Sequence, residues 1–258
     1  VNGTKTSGRG VKDIDPAHLA RLNAGEVEAA TLVECLAVDF ALLMGSVLPD
    51  IGSGPCAEMH EAREAGISRR MLLAARLITK RYGPSAIERL ARHSSDTVRG
   101  WVCAMLGAAD MELGDRLLAI RPFADDPHFG VREWSWMAVR SHLAAELDVS
   151  IALLAKWTVD PSERIRRFAT EALRPRGVWC SHIAALKQQP ERALAVLEPL
   201  RADPSIYVQD SVGNWLNDAG KDRPEWVRAL CERWLAESPE PATVRICRRG
   251  MRSIPVVN

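Results

Sequence analysis

Arginine recurs in this chain at a spacing that a helix would turn into a stripe. One residue beyond each of the aliphatics Val98, Val131, Ile165 and Val208 stand Arg99, Arg132, Arg166 and Gln209. At about 100° per residue the positions four and eight further on share that side. They hold Cys103 and Gly107, Trp136 and Arg140, Thr170 and Arg174, then Gly213 and Asn217. Beside the stripe lie Gly100 and Ala104, Glu133 and Met137, Arg167 and Glu171, Asp210 and Asn214. Guanidinium forks repeated along a path suit a phosphate backbone, whose charges also recur along a path. Trp136, set between Arg132 and Arg140, is expected on this non-core face, where an exposed indole stacks on a partner. The competing reading is a solvated face knit by pairs such as Arg167 with Glu171.

The elements that must position these residues are helices in pairs. Each of the stretches 94–106, 126–139, 160–173 and 203–216 opens on a polar turn and continues into an aliphatic pattern. Their anchors are 33, 34 and 43 residues apart, and a period in the thirties built of paired helices marks an all-α, HEAT-like α-solenoid. Partner helices are expected at Ser85–Ala91, Leu113–Ile120, Val149–Trp157 and Glu191–Leu200. The core face of the third repeat reads Ile165, Phe168, Ala169, Ala172 and Leu173. The stretch RPRGVWCSHIAALKQQ accounts for the longer last step and is expected to be a specialised loop. Upstream, Asp15 and Pro16 start a helix, Glu26–Met44 forms one longer helix, and Gly83 ends another. Trp226 and Trp234 are expected in the core, and the last helix offers Arg245, Arg248, Arg249 and Arg252. Residues 1–13 read as a disordered polar arm and 14–258 as a single repeat domain.

Bulk charge says nothing of partners, because 34 basic residues face 33 acidic ones in a chain of 258. Any electrostatic function must come from how the charge is distributed. Six scattered cysteines fit buried thiols in a reducing cytosol. His128 and His182 have no partner at metal-ligand spacing, so no metal is expected. The polar N-terminus and the lack of long apolar runs lead us to expect a soluble, cytoplasmic protein with no membrane partner.

Three longer stretches resemble the AlkC/AlkD group of HEAT-like DNA alkylation-repair glycosylases, the AlkC side more closely. They are LNAGEVEAATLVECLAVDFALLM at 22–44, RIRRFATEALRPRGVW at 164–179 and LEPLRADPSIYVQDSVGNWLND at 197–218, joined by the arginine-bearing final helix. Two positions depart from the family's pattern: His128 replaces the acid before the phenylalanine, and Asp210 replaces an arginine. No immunoglobulin-like domain, which some relatives append, is expected after Ile254.

The resemblance implies a right-handed, C-shaped solenoid gripping duplex DNA, acting as a monomer without a cofactor. It also implies excision of cationic N3- or N7-alkylated purines such as 3-methyladenine. On that reading Glu133 and Asp210 are the catalytic carboxylates, with Glu171 and Asp218 as more structural alternatives. Trp136 and Trp179 are the expected stackers; Trp179 could instead close its turn onto the core. The expected backbone contacts are Arg132, Arg140, Arg166, Arg167, Arg174, Arg176 and Lys221. The alternative is a non-catalytic HEAT-repeat module that binds DNA or another protein.

Overall fold

Helices make up all the regular structure in a computed structural model that describes residues 10–177 and 179–255. Their contacts group into two compact units, residues 10–109 with 127–134 and residues 110–126 with 135–255. The first unit holds α1 (Pro16–Ala24), α2 (Leu32–Ala37), α3 (Phe40–Val47), α4 (Ser53–Glu61), α5 (Ile67–Tyr82), α6 (Ala86–Leu90) and α7 (Asp96–Ala108). α8 (Leu113–Ala124) belongs to the second unit, and the division then falls within α9 (Phe129–Ala145). The second unit continues with α10 (Leu147–Ala155), α11 (Glu163–Glu171), α12 (Ala184–Gln188), α13 (Leu194–Leu197), α14 (Ile206–Gly220), α15 (Pro224–Glu237) and α16 (Pro241–Gly250). The arm expected over 1–13 lies outside the described residues as far as residue 9. Val11–Asp13 forms a 3-10 turn in which Asp13 accepts the Gly10 amide at 2.7 Å.

Local chemistry places most of these elements. Asp15 caps α1 by accepting the His18 amide, and Gly83, at φ 67°, stops α5. The single helix expected over Glu26–Met44 is broken in two. Thr31 caps α2, and Asp39 restarts the chain as α3 by accepting the Ala41 and Leu42 amides at 2.8 and 3.1 Å. The partner helix expected over Glu191–Leu200 is likewise split, into 3-10 turns around α13 that begin near Pro190 and Pro199.

The four repeat helices are α7, α9, α11 and α14, and their anchors Val98, Val131, Ile165 and Val208 are fully buried. The stripe one residue further on is not the open face that amphipathic counting suggests. Each of its members folds back to donate to backbone carbonyls of the turn before its own helix. Arg99 reaches His93 O at 2.7 Å and Arg132 reaches Pro127 O at 2.8 Å. Arg166 reaches Asp160 O at 2.9 Å and Pro161 O at 3.1 Å, while the Gln209 amide reaches Asp203 O at 2.8 Å. The turn carbonyls have no helical partner, so these donors satisfy groups that would otherwise be costly to bury.

Further along the same side the chain is sealed against the next repeat. Trp136 is 3 % exposed and Arg140 is 3 % exposed, which corrects the expectation that both lie open on a groove. The reason is the packing of a solenoid: its inner helices touch their own partner and both neighbouring repeats, so three of their sides are covered. Arg166 also forks onto Asp203 through Nε at 2.6 Å and Nη2 at 3.0 Å. Glu171, buried between α11 and α14, accepts from Arg174 at 2.8 Å and from Ser211 at 2.7 Å, with Arg167 at 3.6 Å. Arg174 in turn reaches Asp218 at 2.8 Å. Burial pushes Glu171 upward, but Arg167, Arg174 and Ser211 outweigh it and hold the carboxyl below its ordinary value.

Two outcomes follow for stability. Arg166→Ala strands a buried carboxylate at Asp203 and should cost about 3 kcal/mol in urea unfolding, with Arg166→Lys recovering only part of the loss because it cannot fork. Glu171, with its folded value depressed, contributes fully above the unfolded carboxylate pKa of about 4.3 and loses that contribution as pH falls through the lower folded value. Thermal melts from neutral pH downward should therefore fall less steeply in Glu171→Gln than in the wild type.

Candidate nucleic-acid interface

One helix, α14, carries the second unit's exposed chemistry at both of its ends. Near its start Asp210 is a half-open carboxylate, with 36 % of its side chain exposed. It is held from α16: Arg245 Nη2 donates at 2.7 Å and Arg249 Nη1 lies at 3.2 Å, both on Oδ1. One turn later Asn214 Oδ1 accepts from Arg249 Nε at 3.0 Å and Arg252 Nη2 at 3.1 Å. Arg245, Arg248, Arg249 and Arg252 line an open hollow there of about 270 Å³. Arg167 lies over the Tyr207 ring at 4.5 Å, a stacked geometry that holds its charge in place.

At its other end α14 anchors the loop that follows α11. Arg174 forks onto Asp218, Arg176 forks onto Asp222 at 2.9 and 3.1 Å, and Lys221 reaches Asp218 at 3.4 Å. Inside the loop Arg140 is a buried hub: it donates to Ala172 O at 2.8 Å, Arg174 O at 2.6 Å and Ser181 O at 3.1 Å. Gly177 passes so close that a Cβ there would sit 3.1 Å from the Arg140 Cζ. Desolvation pushes the Arg140 guanidinium below its usual range, a cost that the carbonyls it feeds offset.

What this clamp presents is Trp179. The indole is 58 % exposed, and its backbone stands at φ 62°, a left-handed conformation rarely adopted by a large side chain. A strained, exposed tryptophan on a loop tied at several points is preorganised for a flat partner. Of the two readings of Trp179, closure onto the core is ruled out by this exposure. Of the two expected stackers, Trp136 is buried and Trp179 is open.

The first unit holds the remaining expected residues. Glu133 is partly exposed on the second turn of α9, and Arg132 is partly exposed beside it. His128 begins that helix. Its Nε2 lies 2.6 Å from Ala29 O, which can only accept, so Nε2 carries the proton and Nδ1 accepts the Gly130 amide at 3.1 Å. A carboxylate at this position would face Ala29 O and buried Asp96, 3.8 Å away, with repulsion from both. The departure at 128 is therefore a matched change of cap.

Sequence reasoning left Tyr207 and Asn214 out of the site, and noted the α16 arginines without including them in it. The usable signal was the run RICRRGMR, whose spacing puts Arg245, Arg248, Arg249 and Arg252 on adjoining turns.

Comparison with known proteins agrees with this architecture. Residues 131–245 match the family model of the DNA alkylation repair enzyme. The curated protein YhaZ of Bacillus subtilis, described as uncharacterized, is 40 % identical over 105 residues, which are 41 % of this chain and 29 % of that one. Among solved structures, the Pseudomonas fluorescens alkylpurine DNA glycosylase AlkC, bound to DNA containing an abasic site analog, superposes with a TM-score of 0.70 at 24 % identity. That match covers 96 % of this chain and 65 % of AlkC, so the chain spans less than two thirds of either protein. The smu.31 protein of Streptococcus mutans UA159 gives a TM-score of 0.60 at 21 % identity over 73 % of this chain and 93 % of its own. The fold is that of AlkC, and over residues 131–245 the sequence is similar to that of the DNA alkylation repair enzymes.

Proposed function

We propose that the protein is a DNA glycosylase that releases cationic N3- or N7-alkylated purines, such as 3-methyladenine, from duplex DNA. The observation that carries this reading is that α14 bears a half-open carboxylate, Asp210, and at its other end anchors the loop that exposes the Trp179 indole. The family match from α9 into α16 and the likeness to AlkC support it. Alkylation at N3 or N7 puts a positive charge on the base and so weakens its bond to the sugar before any catalyst acts. Cleavage sends the bonding electrons onto the base ring, neutralising it and leaving an oxocarbenium-like sugar. A fixed carboxylate stabilises that positive charge and orients water for attack at C1′, taking up the proton the water loses. No cofactor or metal is needed for that sequence. Asp210 is the first choice for this role and Glu133 the second, while Trp179 stacks on the lesion or a neighbouring base.

Burial reassigns several of the arginines. Arg140, Arg166 and Arg174 hold turns and the Trp179 loop, and Trp136 is buried, so their part is positioning. Arg167, equally little exposed, is held by Glu171 and the Tyr207 ring, and Arg132 is tied to Pro127 O. Backbone contacts fall instead to Arg176, Lys221 and the α16 arginines.

The test is base release from methylated duplex. Wild type should free 3-methyladenine, and a Glu133→Gln/Asp210→Asn double variant should lose about a hundredfold in rate. Trp179→Ala should lose about tenfold, since stacking is worth roughly 1–3 kcal/mol per base. Absence of release by the wild type, with duplex binding that still falls steeply with salt, would leave a DNA-binding module without the enzyme.

A further inference from the structure

Four guanidinium groups line the α14–α16 hollow; Asp210 pairs with two of them, and Asp218 also acts on Arg252. The four are Arg245, Arg248, Arg249 and Arg252, and Asp210 lies on Arg245 at 2.7 Å and Arg249 at 3.2 Å. Asn214 adds only a neutral oxygen. The end of α16 offers about half an elementary charge, and Arg252 meets it by donating to Arg249 O at 2.7 Å. Partial desolvation and then the charge of Arg249 keep Arg252 below the usual guanidinium range, as crowding of like charge requires.

The crowding is built into the helix crossing. A Cβ on Gly213 would sit 2.8 Å from Arg249 Cδ, so α14 gives up a side chain there to let the Arg249 stem lie flat. A Cβ on Gly250 would likewise sit 2.8 Å from Leu216 Cβ, so the two helices can approach only with glycine at that point. The stem therefore aims its guanidinium at Asn214 and Asp210 with little freedom.

We propose that this hollow seats one backbone phosphate of duplex DNA, and that the phosphate displaces Asp210 from Arg245 and Arg249 so that its carboxylate is freed only when DNA is bound. A phosphodiester presents two oxygens to forked guanidinium groups, as a carboxylate does, so the two anions compete for the same donors. Once the phosphate is seated, like-charge repulsion drives Asp210 outward. The seat stands on the geometry alone; the use made of the freed carboxylate rests on the glycosylase reading above.

Competition makes the prediction reciprocal. Asp210→Asn should tighten binding of inorganic phosphate and of a short unmodified duplex by about fivefold or more, both followed on the whole protein with its melting temperature as a folding control. Arg248→Ala/Arg252→Ala should weaken both and lower the salt slope of duplex binding by about one for the lost phosphate contact. Independently of any variant, the Asp210 carboxylate carbon signal of the wild type should move in NMR as phosphate is added. Unchanged or weaker binding by Asp210→Asn, or a stationary Asp210 signal, would overturn the displacement. Duplex affinity indifferent to the two arginines while inorganic phosphate still binds would overturn the DNA seat. Loss of the glycosylase reading alone would show as these shifts persisting without base release.

Discussion

The structure depends on a donor that closes the turn before each repeat helix. Arg99, Arg132, Arg166 and Gln209 occupy the same register and spend their N–H groups on carbonyls five or six residues back. At two of the arginines the residual positive charge meets an acid: Glu28 pairs with Arg99 and Asp203 with Arg166. A neutral glutamine at the last repeat does the same work on the carbonyl without attracting a carboxylate. What looks like a basic stripe is thus a series of internal ties, and net charge close to zero is what such a set of ties would give.

With those arginines used internally, the exposed chemistry collects on α14. Its first turns hold Asp210 and Asn214 against α16, while Asp218 in its last turn holds Arg174 and Asp222 just beyond its end holds Arg176. Between the two ends the helix is almost entirely buried, with Trp215 fully enclosed and donating to Leu173 O at 2.9 Å. Groups at both ends are therefore fixed by one rigid element, which is what a reaction needing sub-ångström placement requires. The loop bearing Trp179 gains its rigidity the same way, from Arg140 and from the paired acids, and not from secondary structure of its own.

How far the sequence carried this differs by level. Anchors and core faces were legible, because burial of aliphatics at helical spacing is a one-dimensional signal: Ile165, Phe168, Ala169, Ala172 and Leu173 are all buried as counted. Trp136 was misplaced because helical counting knows one neighbour, while a solenoid helix has three. The break at Asp39 was hidden by the apolar residues around it, although its carboxylate is an ordinary cap once the chain turns there. Trp179 could not be placed, since nothing local announces a left-handed tryptophan; Arg140, distant in sequence, decides it by gathering three carbonyls around the loop.

Sorting the arginines into ties and contacts is the central claim, and side-chain NMR tests it directly. With guanidinium Nε–H signals assigned, titration with a duplex carrying an alkylated purine should move Arg248 and Arg252 while Arg140 and Arg166 stay where they are. Large shifts at Arg140 and Arg166 with silent Arg248 and Arg252 would contradict it.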